Sequence, residues 1–423
     1  MQLQVLVDYL KTGQNIFLTG GAGVGKTTLT RQLIASYAIQ NKKVAKLAST
    51  GIAATLIGGQ TLHSFFDFSI AKDTEDLRRR GKFALKNKIS KLIRSMNLII
   101  IDEISMVSAD LLDMVYLRLE QSDFSGSLMV VGDFLQLPPV AREQELSFAF
   151  EAQSWKRFAF KSIELTHNFR SEDIEFNSIL NSVRLAQVGA DEHLYLHNLI
   201  RPIDENISSH TLLFGTNASA AKHNAAQLKL CDGVLHEYIA HTIKKAKNIE
   251  EKMVEQFYKD SRVAKVLSLK VGVPVLFTAN AHNYINGERG VVEALLEDKI
   301  RVRKSSGIVV TLERTSTQKS RWDQVKIDGK LEFIEEVLFT AYQFPLTLAY
   351  AITIHKSQGM SIEHLVIDTT EIFAPSQFYV ALSRATNIKT LILKQPRVNW
   401  SKLAFVHPKA LEFTTTLSDS KLS

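Results

Sequence analysis

The sequence predicts an α/β protein with two helix-covered parallel β-sheets and a smaller β-rich insertion. Short apolar runs alternate with helical segments, a pattern typical of parallel sheets, and the alternation occurs in two separate regions of the 423-residue chain. Residues 265–340 differ, because they consist of short β-type runs separated by turn residues. At about 100–200 residues per domain, this length fits two or three domains.

The first sheet is predicted in the N-terminal part of the chain. Its strands are four apolar runs, each followed by a glycine-rich or polar turn: residues 15–19, 44–48, 97–101 and 127–131. Residues 27–40 are predicted to form a helix after the first strand, and residues 66–95 an insert between strands. We assign residues 1–165 to this first domain.

The second sheet is predicted from three further apolar runs. These are residues 211–215, 364–368 and 390–394, with helices at 217–230 and 375–385. Residues 269–340 are predicted to fold as a small β-barrel inserted into this domain, which then comprises residues 166–268 and 341–423. The polar C-terminal end is expected to be frayed.

Composition restricts the possible function classes only loosely. The chain has 51 Lys and Arg residues against 44 Asp and Glu, a net charge of +7 that permits a polyanionic partner without requiring one. The single cysteine, Cys231, excludes a disulfide within the chain and a multi-cysteine metal site, and we expect it to be a small buried side chain. No apolar run approaches the roughly 18 residues that span a bilayer, and the N-terminus has no signal-peptide pattern. We therefore expect a cytoplasmic, nucleoid-associated protein of bacterial type.

A phosphate-binding loop is predicted between the first strand and the helix that follows it. The run GGAGVGKTT matches the pattern G-x-x-x-x-G-K-[ST] at Gly20, Gly25, Lys26 and Thr27. Glycines let backbone N–H groups face phosphates, and the helix N-terminus favours their negative charge. Lys26 is predicted to reach the β- and γ-phosphates of ATP and Thr27 to bind Mg²⁺. The nucleotide-binding set is Gly20, Gly21, Ala22, Gly23, Val24, Gly25, Lys26, Thr27 and Thr28.

Polar side chains after two other strands complete the predicted hydrolytic site. Asp102 and Glu103 follow the strand NLIII, at the end where ligands of parallel sheets bind. We expect Asp102 to bind Mg²⁺ and Glu103 to orient or deprotonate the attacking water. Gln136, after the strand ending at Asp133, is placed to contact the γ-phosphate or its water, although a loop-capping amide is an alternative interpretation.

Two arginines decide between a motor and a simple nucleotide switch. A motor needs a group from across a cleft that senses the γ-phosphate, and arginine commonly supplies it. Arg170 in LTHNFRS and Arg384 in FYVALSRATN are the candidates. The alternative is that each arginine is solvated or paired in a salt bridge.

The ordered motifs of the chain resemble superfamily 1B DNA helicases of the Pif type, with RecD-type helicases as relatives. The resemblance covers about residues 4–395 and is carried by these runs: GGAGVGKTT, STGIAA, TLHSFF, DEISM, GDFLQLPPV, NFRS, AITIHKSQG and YVALSRA. Two features depart from the Pif-type pattern. Ser49 occupies a position where the family often has proline, and NFRS resembles the motif of superfamily 1 helicases in general. These leave the subfamily open.

The resemblance implies two RecA-like motor domains, an SH3-like barrel inserted in the second, and 5′→3′ translocation on single-stranded DNA. It implies ATP and Mg²⁺ as cofactors, Arg170 and Arg384 as γ-phosphate contacts, and Gly359 as part of the nucleotide site. Gln4 resembles the adenine-reading glutamine, although Gln2 is also near. Tailed or forked duplex DNA is the expected substrate, and a monomer is the expected state in solution.

In this family setting, TIHKSQG at residues 353–359 is predicted to grip DNA and to touch the nucleotide cleft. Hydroxyl and ammonium groups suit phosphate oxygens, and an imidazole can also stack on a base. The alternative is a solvated turn after the strand. The predicted DNA-binding set is Thr50, Gly51, His63, Ser64, Phe65, Pro138, Pro139, Asn286, Gly287, Thr353, His355, Lys356 and Ser357. Phe65 has the alternative of a core residue, and Asn286-Gly287 that of a plain hairpin turn.

Residues 78–94 carry eight Lys and Arg and no acidic residue. We hypothesise that this run, in the insert expected to separate strands, contacts the DNA backbone at the fork, although charge runs are usually solvated surface. Two alternatives to a helicase remain open. One is a translocase that unwinds poorly, and the other is a loader or switch that binds nucleic acid without stepping.

Overall fold

The computed structural model describes residues 2–139, 146–201, 209–327, 330–394, 399–417 and 421–422. Residues 418–420 and 423, part of the end expected to be frayed, lie outside them. The helices are Gln2–Lys11, Lys26–Ile39, Gly51–Leu56, Leu62–Phe65, Thr74–Arg79, Asn87–Arg94, Ala109–Gln121, Gln153–Phe158, Ile174–Arg184, Ala190–Asn198, Asn217–Leu230, Glu251–Asp260, Gln377–Leu382, Trp400–Leu403 and Pro408–Thr416. None of the helices in these ranges has the length and apolar character that crossing a membrane requires.

The first sheet has seven parallel strands, which confirms the predicted fold class for this part of the chain. Their order across the sheet is Lys421–Leu422, Lys161–Leu165, Ile16–Gly20, Ser127–Val131, Leu98–Asp102, Val44–Ala48 and Gln60–Thr61. The central strands are fully buried because helices cover both faces. Ile99 and Ile101 join the core on one face, while Leu98 and Ile100 join the core on the other.

The second sheet has four parallel strands. Their order is Ala351–Thr353, Thr211–Phe214, Leu365–Asp368 and Leu391–Lys394. Its core also contains the apolar faces of Ile174–Arg184 and Gln377–Leu382, including Phe176 and Phe378, which are both fully buried. Both sheets are therefore packed by helices in the way the two sets of apolar runs predicted.

The β-rich insertion is antiparallel and begins earlier than residue 269. A five-stranded sheet has the order Val309–Leu312, Ile300–Lys304, Arg289–Leu295, Pro274–Phe277 and Leu346–Leu348. Two smaller sheets add Val266–Leu269 with His236–Ile239, and Thr315–Ile327 with Lys330–Gln343 and His241–Lys244. Cys231 is half-buried against this core rather than fully buried. The sequence missed the early strands because His236–Ile239 is mostly exposed, so its apolar residues are few.

A long hairpin reaches from the insertion to the first domain. It consists of Thr315–Ile327 and Lys330–Gln343, and we call it the long hairpin. Phe333 is buried in the core of the first domain, and Trp322 packs against that core. Glu335 forms an ion pair with Lys46 at 3.4 Å. The insertion thus spans the space between the second sheet and the first.

The C-terminal segment returns to the first sheet, although the sequence analysis placed residues 341–423 in the second domain. Phe413, on Pro408–Thr416, stacks on Phe150 with ring centroids 4.3 Å apart and packs edge-on against Phe134. Lys421–Leu422 pairs in parallel with Lys161–Leu165. The packing changes near residue 405, because Trp400 and Ala404 belong to the core of the second domain, whereas Val406 and Ala410 pack with the first.

Candidate nucleotide and nucleic-acid site

The predicted phosphate-binding loop joins the strand Ile16–Gly20 to the helix Lys26–Ile39. Gly23 and Gly25 have φ of 83° and 89°, a left-handed conformation that favours glycine. A Cβ at Gly23 would lie 2.6 Å from Oδ1 of Asn168, so the close approach also requires glycine. Lys26 Nζ donates hydrogen bonds to the carbonyls of Gly20 and Gly21 at 2.6 and 2.7 Å. The backbone of the loop therefore surrounds the ammonium group of Lys26.

Two carboxylates follow the strand Leu98–Asp102, as predicted. Asp102 is buried and its Oδ1 accepts the backbone N–H of Glu103 at 2.9 Å. Burial, and then the charge of Glu103, raise the pKa of Asp102 to about 7. Burial also raises the pKa of Glu103, against the influence of Lys26 and Arg384. Glu103 has φ 52°, a conformation that is uncommon outside glycine and that turns this residue away from the strand direction.

The carboxylates and the loop suit a nucleotide with a divalent cation. No cluster of three or more His, Cys, Asp or Glu side chains able to hold a metal occurs in the described part of the chain. Asp102 and the exposed Thr27 would therefore hold Mg²⁺ together with phosphate oxygens and water, which is how Mg²⁺ is usually bound. A bound cation would offset the mutual repulsion of the buried carboxylates.

A single cavity joins these groups to the second domain. It has a volume of about 640 Å³, and its lining includes residues of both domains. The predicted residues that line it are Ala22, Gly23, Val24, Gly25, Lys26, Thr27, Thr28, Asp102, Glu103, Gln136, Arg170, Asn286, Gly359 and Arg384. The fold thus brings the phosphate-binding loop, both carboxylates and both predicted arginines to one cleft.

Both arginines are bonded to groups of the second domain in this structure. Arg170 donates to Oγ of Ser361 at 3.2 Å and to the carbonyl of Ser383 at 2.7 Å. Arg384 is buried and donates to the carbonyl of Val380 at 2.9 Å and to Oγ of Ser383 at 2.7 Å. Burial lowers the pKa of Arg170 to about 10. Neither arginine has an acidic hydrogen-bond partner among the described residues, so both have the capacity to bind an anion in the cleft.

Gln136 belongs to a buried network that crosses the cleft. Its Nε2 lies 3.4 Å from Oδ2 of Asp133, so it also has the loop-capping contact considered as the alternative. Asp133 itself is bound by Arg184, at the end of the second-domain helix Ile174–Arg184. Arg184 is a residue the sequence analysis missed, because no motif surrounds it and the pairing joins positions 51 apart in sequence.

Tyr379 makes a second bond across the cleft. Its hydroxyl accepts the backbone N–H of Ala22 in the phosphate-binding loop at 2.8 Å. The side chain is buried on Gln377–Leu382, the helix that leads to Arg384. Tyr379 lies five residues before Arg384 in the sequence, and this nearness to a predicted site residue could have identified it.

The structure favours Gln2 over Gln4 near the nucleotide. Gln4 is exposed on Gln2–Lys11 and its Nε2 donates to Oδ1 of Asp8 at 2.7 Å. Gln2, in contrast, lines the cleft. The assignment of Gln4 is therefore corrected, because the helix turns its side chain toward solvent.

The run TIHKSQG forms a compact turn after the strand Ala351–Thr353. Thr353 is 2% exposed, and its Oγ1 lies 3.4 Å from Oδ1 of Asn217. Ser357 is fully buried and its Oγ donates to the carbonyl of Ile354 at 2.8 Å, so its hydroxyl is used within the turn rather than presented to DNA. His355 and Lys356 are half-buried, and burial lowers the pKa of both. Of the predicted phosphate contacts here, Thr353 and Lys356 line a cavity.

In the first domain, the predicted DNA contacts are divided between surface and core. Phe65 is 2% exposed and packs edge-on against Phe66, so it is the core residue considered as the alternative. His63 is half-buried with Nε2 3.2 Å from the Ala71 carbonyl, and Ser64 is exposed. Pro138 is half-buried and Pro139 buried. Both aromatic residues of TLHSFF, Phe65 and Phe66, are buried and anchor the short helix Leu62–Phe65 in the core.

Helix Glu251–Asp260 covers another part of this predicted surface. The side chain and backbone of Asp260 lie against Gly51, where an added Cβ would be 2.4 Å from the Asp260 Cβ. Thr50 caps the helix Gly51–Leu56 by accepting the N–H of Ala53 at 3.3 Å. Thr50 and Gly51 therefore face the insertion in this structure.

The Asn286-Gly287 turn docks on the end of TIHKSQG. Asn286 Nδ2 donates to the carbonyl of Gly359 at 3.4 Å. Gly287 has φ 91°, and a Cβ there would lie 2.6 Å from the Ser361 carbonyl oxygen, so glycine is required by both conformation and proximity. The turn therefore packs against the protein beside the nucleotide cleft.

Most charges of the basic run 78–94 are paired. Six of its eight Lys and Arg residues form ion pairs within the protein: Arg79, Arg80, Lys82, Lys86, Lys88 and Arg94. Lys88 pairs with Asp323 on the long hairpin. The insert is not a free-standing element, because Leu92 and Ile93 are buried in the first core. Its DNA contact stays a prediction.

Comparison with known proteins gives consistent matches along nearly the whole chain. A family model described as PIF1-like helicase matches residues 4–189. A protein named ATP-dependent DNA helicase Pif1 from Campylobacter jejuni is 39% identical over 408 residues, covering 91% of this chain and 90% of its own length. Its namesake from Bdellovibrio bacteriovorus is 35% identical, covering 96% of this chain and 89% of its own length.

Solved structures agree. The crystal structure of Bacteroides sp Pif1 in complex with ADP-AlF4 has a TM-score of 0.84 at 31% identity, and the match covers 98% of this chain and 96% of that chain. Bacteroides Pif1 bound to ssDNA has a TM-score of 0.63 at 31% identity, covering 98% of this chain and 95% of that chain.

Proposed function

The chain belongs to the family of PIF1-like helicases, and we propose on this basis that it is an ATP-dependent DNA helicase. We further propose that it translocates 5′→3′ on single-stranded DNA and unwinds the duplex ahead of it. Tailed or forked DNA would be its substrate, and a chromosomal substrate would place it with the nucleoid. A monomer is the proposed state in solution.

The observation that carries this proposal is the cleft shared by the two α/β domains. Lys26 and Glu103 of the first domain line the same cavity as Arg170 and Arg384 of the second. A nucleotide held there would be contacted from both sides, so its hydrolysis could change the distance between the domains. A simple switch needs no second domain at its phosphates.

Each residue has a definite proposed role in this cleft. The P-loop and Lys26 would hold the phosphates, and Thr27 and Asp102 would hold Mg²⁺. Glu103 would orient or deprotonate water, and its raised pKa fits a proton acceptor. Gln136, Arg170 and Arg384 would sense the γ-phosphate. When ATP is bound, it supplies the phosphoryl group whose transfer to water drives the motor.

The test is unwinding of two labelled duplexes in the presence of ATP and Mg²⁺, one with a 5′ single-stranded tail and one with a 3′ tail. We expect unwinding of the 5′-tailed duplex alone, with a Lys26→Ala protein inactive on both. Unwinding of the 3′-tailed duplex alone would contradict the proposed polarity while leaving the ATP site in place.

The same assay separates the alternatives. ATP hydrolysis that is stimulated by single strands, without unwinding of either duplex, would favour a translocase or a missing partner. Normal ATP hydrolysis by an Arg384→Ala variant would favour a loader or switch, because a motor depends on that arginine. Unwinding of duplexes with DNA tails and with RNA tails of the same sequence would establish whether the enzyme distinguishes the two sugars.

A further inference from the structure

Arg262 is a buried cation that none of the predicted motifs contains. It lies between helix Glu251–Asp260 and strand Val266–Leu269, where the chain enters the five-stranded part of the insertion. Its Nη2 donates to the carbonyl of Gln358 in TIHKSQG. Its Nε and Nη1 are shielded from solvent, and neither has a hydrogen-bond partner within the described residues.

A guanidinium group in this state is energetically unfavourable unless an anion joins it. Guanidinium has five N–H donors, and a buried charge without a partner is costly. Burial accordingly lowers the pKa of Arg262 to about 10. The neighbouring Gln358 has the same deficit, since its Nε2 is buried and also has no hydrogen-bond partner among the described residues. Three donor atoms on adjoining side chains thus lack acceptors.

Arg262 borders a positively charged cavity of about 230 Å³. Arg262, Lys259 and Lys356 line it, and no acidic side chain occurs among its described lining residues. Asn217 and Thr353 add amide and hydroxyl groups. The cavity therefore offers three cations and uncharged hydrogen-bonding groups, a composition that suits a phosphate group.

The cavity is separate from the nucleotide cleft in its lining. It contains no residue of the phosphate-binding loop, and the nucleotide cleft is lined by neither Arg262 nor Lys356. The two spaces adjoin at TIHKSQG, where the Gln358 carbonyl binds Arg262 and Gly359 lines the nucleotide cleft. A phosphate held by Arg262 would thus be linked through two consecutive residues to the ATP site.

We propose that Arg262, with Lys356 and Lys259, binds a backbone phosphate of single-stranded DNA in this cavity. Arg262 supplies two nitrogen atoms without acceptors, Nε and Nη1, and its bond to Gln358 makes it a positioning residue for the loop that borders the nucleotide. The proposal deepens the helicase function and rests on it. It adds Arg262 and Lys259, which lie outside the predicted DNA-binding set, to Lys356, which belongs to that set.

The test compares Arg262→Gln with wild type by fluorescence anisotropy of a labelled oligo-dT, without nucleotide, over a series of KCl concentrations. Each phosphate contact to a single strand contributes about 0.7 to the slope of log K against log salt. We expect the slope of Arg262→Gln to fall by about 0.7 and that of Arg262→Lys to stay close to wild type. Arg157→Gln is the matched control. Arg157 belongs to helix Gln153–Phe158 and lies over the ring of Tyr116, and it lines neither the cavity beside Arg262 nor the nucleotide cleft.

Thermal unfolding separates binding from a merely structural role. Without DNA, removing an unpaired buried charge should leave the melting temperature of Arg262→Gln unchanged or raise it. Addition of oligo-dT should stabilise wild type more than the variant. A lower melting temperature without DNA, together with an unchanged salt slope, would show that Arg262 only supports the loop and would overturn the proposal.

Two other outcomes are equally decisive. If the salt slope is unchanged while affinity for a non-hydrolysable ATP analogue falls, the phosphate belongs to the nucleotide and the proposal is wrong. If Arg157→Gln lowers the slope as much as Arg262→Gln, the effect is one of net charge, and the proposal again fails. If wild type itself does not bind oligo-dT, the failure lies in the proposed helicase function.

Discussion

Asp133 and Arg184 form a bidentate ion pair between the two α/β domains. Nε of Arg184 lies 3.0 Å from Oδ2 of Asp133, and Nη2 lies 3.0 Å from Oδ1. The residues are 1% and 6% exposed, so water screens the pair little. Because Asp133 also contacts Gln136, the pair ties the position of the second domain to a predicted phosphate sensor.

We expect Arg184→Met to destabilise the protein, because it leaves the Asp133 carboxylate buried without its main partner. Removing one member of a buried ion pair typically costs about 3–5 kcal/mol. Urea unfolding at pH 7 measures the loss. The double variant Asp133→Asn with Arg184→Met should recover part of it, and a double variant as unstable as the single one would contradict this account.

The same pair predicts an opposite pH dependence in wild type and variant. Burial acts to raise the pKa of Asp133, but Arg184 lowers it below its usual value. In wild type this stability is therefore present above about pH 4 and is lost as pH falls through the folded pKa. In Arg184→Met burial dominates and the folded pKa rises, so stability is lost as pH increases above about 4.

The measurement is the difference in unfolding free energy between wild type and Arg184→Met at several pH values. The difference should grow as pH rises from about 4 to 6, because the contribution of Asp133 is already complete in wild type and falls in the variant. Groups that Arg184 does not influence cancel in this difference, whereas Glu164, with Oε1 4.0 Å from Nη1 of Arg184, is a second carboxylate that the substitution affects. A difference that is constant across this range would show that Asp133 does not titrate as described.

Glu103→Gln should separate nucleotide binding from hydrolysis. The amide keeps the size of Glu103 but cannot accept the proton of water, so the rate of ATP hydrolysis should fall about 10²–10⁴-fold. Binding of a fluorescent ATP analogue should persist, since the amide removes no phosphate contact. Glu120→Gln, on the helix Ala109–Gln121, is the control and should hydrolyse ATP normally. Loss of analogue binding in Glu103→Gln would mean that the carboxylate positions the nucleotide instead.

Phe413→Ala tests whether the C-terminal helix stabilises the first domain. Phe413 stacks on Phe150 and packs against Trp155, so truncation should cost about 3 kcal/mol, the low end for an aromatic residue. Phe405→Ala is the matched control, since Phe405 is 36% exposed, and should change stability by about 0.5 kcal/mol or less. Equal effects of the two substitutions in urea unfolding would argue that the helix is not anchored there.

Substitution of Lys86, Lys88 and Lys91 by Gln tests the basic run of the insert. If the run contacts the DNA backbone, the salt slope for binding a forked duplex should fall. The partners Asp67 and Asp323 hold two of these lysines in the free protein, so DNA would have to compete with them. The control is the same substitution at Lys299, which pairs with Glu313. An unchanged slope would leave the run as paired surface.

The phosphate-binding loop and both sheets could be predicted because they depend on local patterns. Apolar runs specify buried strands, and a glycine-rich turn before a helix specifies an anion site whatever surrounds it. The gathering of Lys26, Glu103 and Arg384 in one cleft followed from motif order and the family resemblance. The position of Gln4 was missed because the step of two residues from Gln2 to Gln4 turns the side chain by about 200° around the helix.

By itself, the sequence determined the fold class, seven strands of the two parallel sheets, the phosphate-binding loop and the helicase family. Only the tertiary structure decided that Arg184 pairs with Asp133, that Phe413 returns to the first sheet, and that Phe65 belongs to the core. It alone showed that Arg262 carries unpaired buried donors. The physical reason is that periodicity and turn chemistry act between neighbours, whereas ion pairs and aromatic packing join residues whose distance along the chain no local pattern encodes.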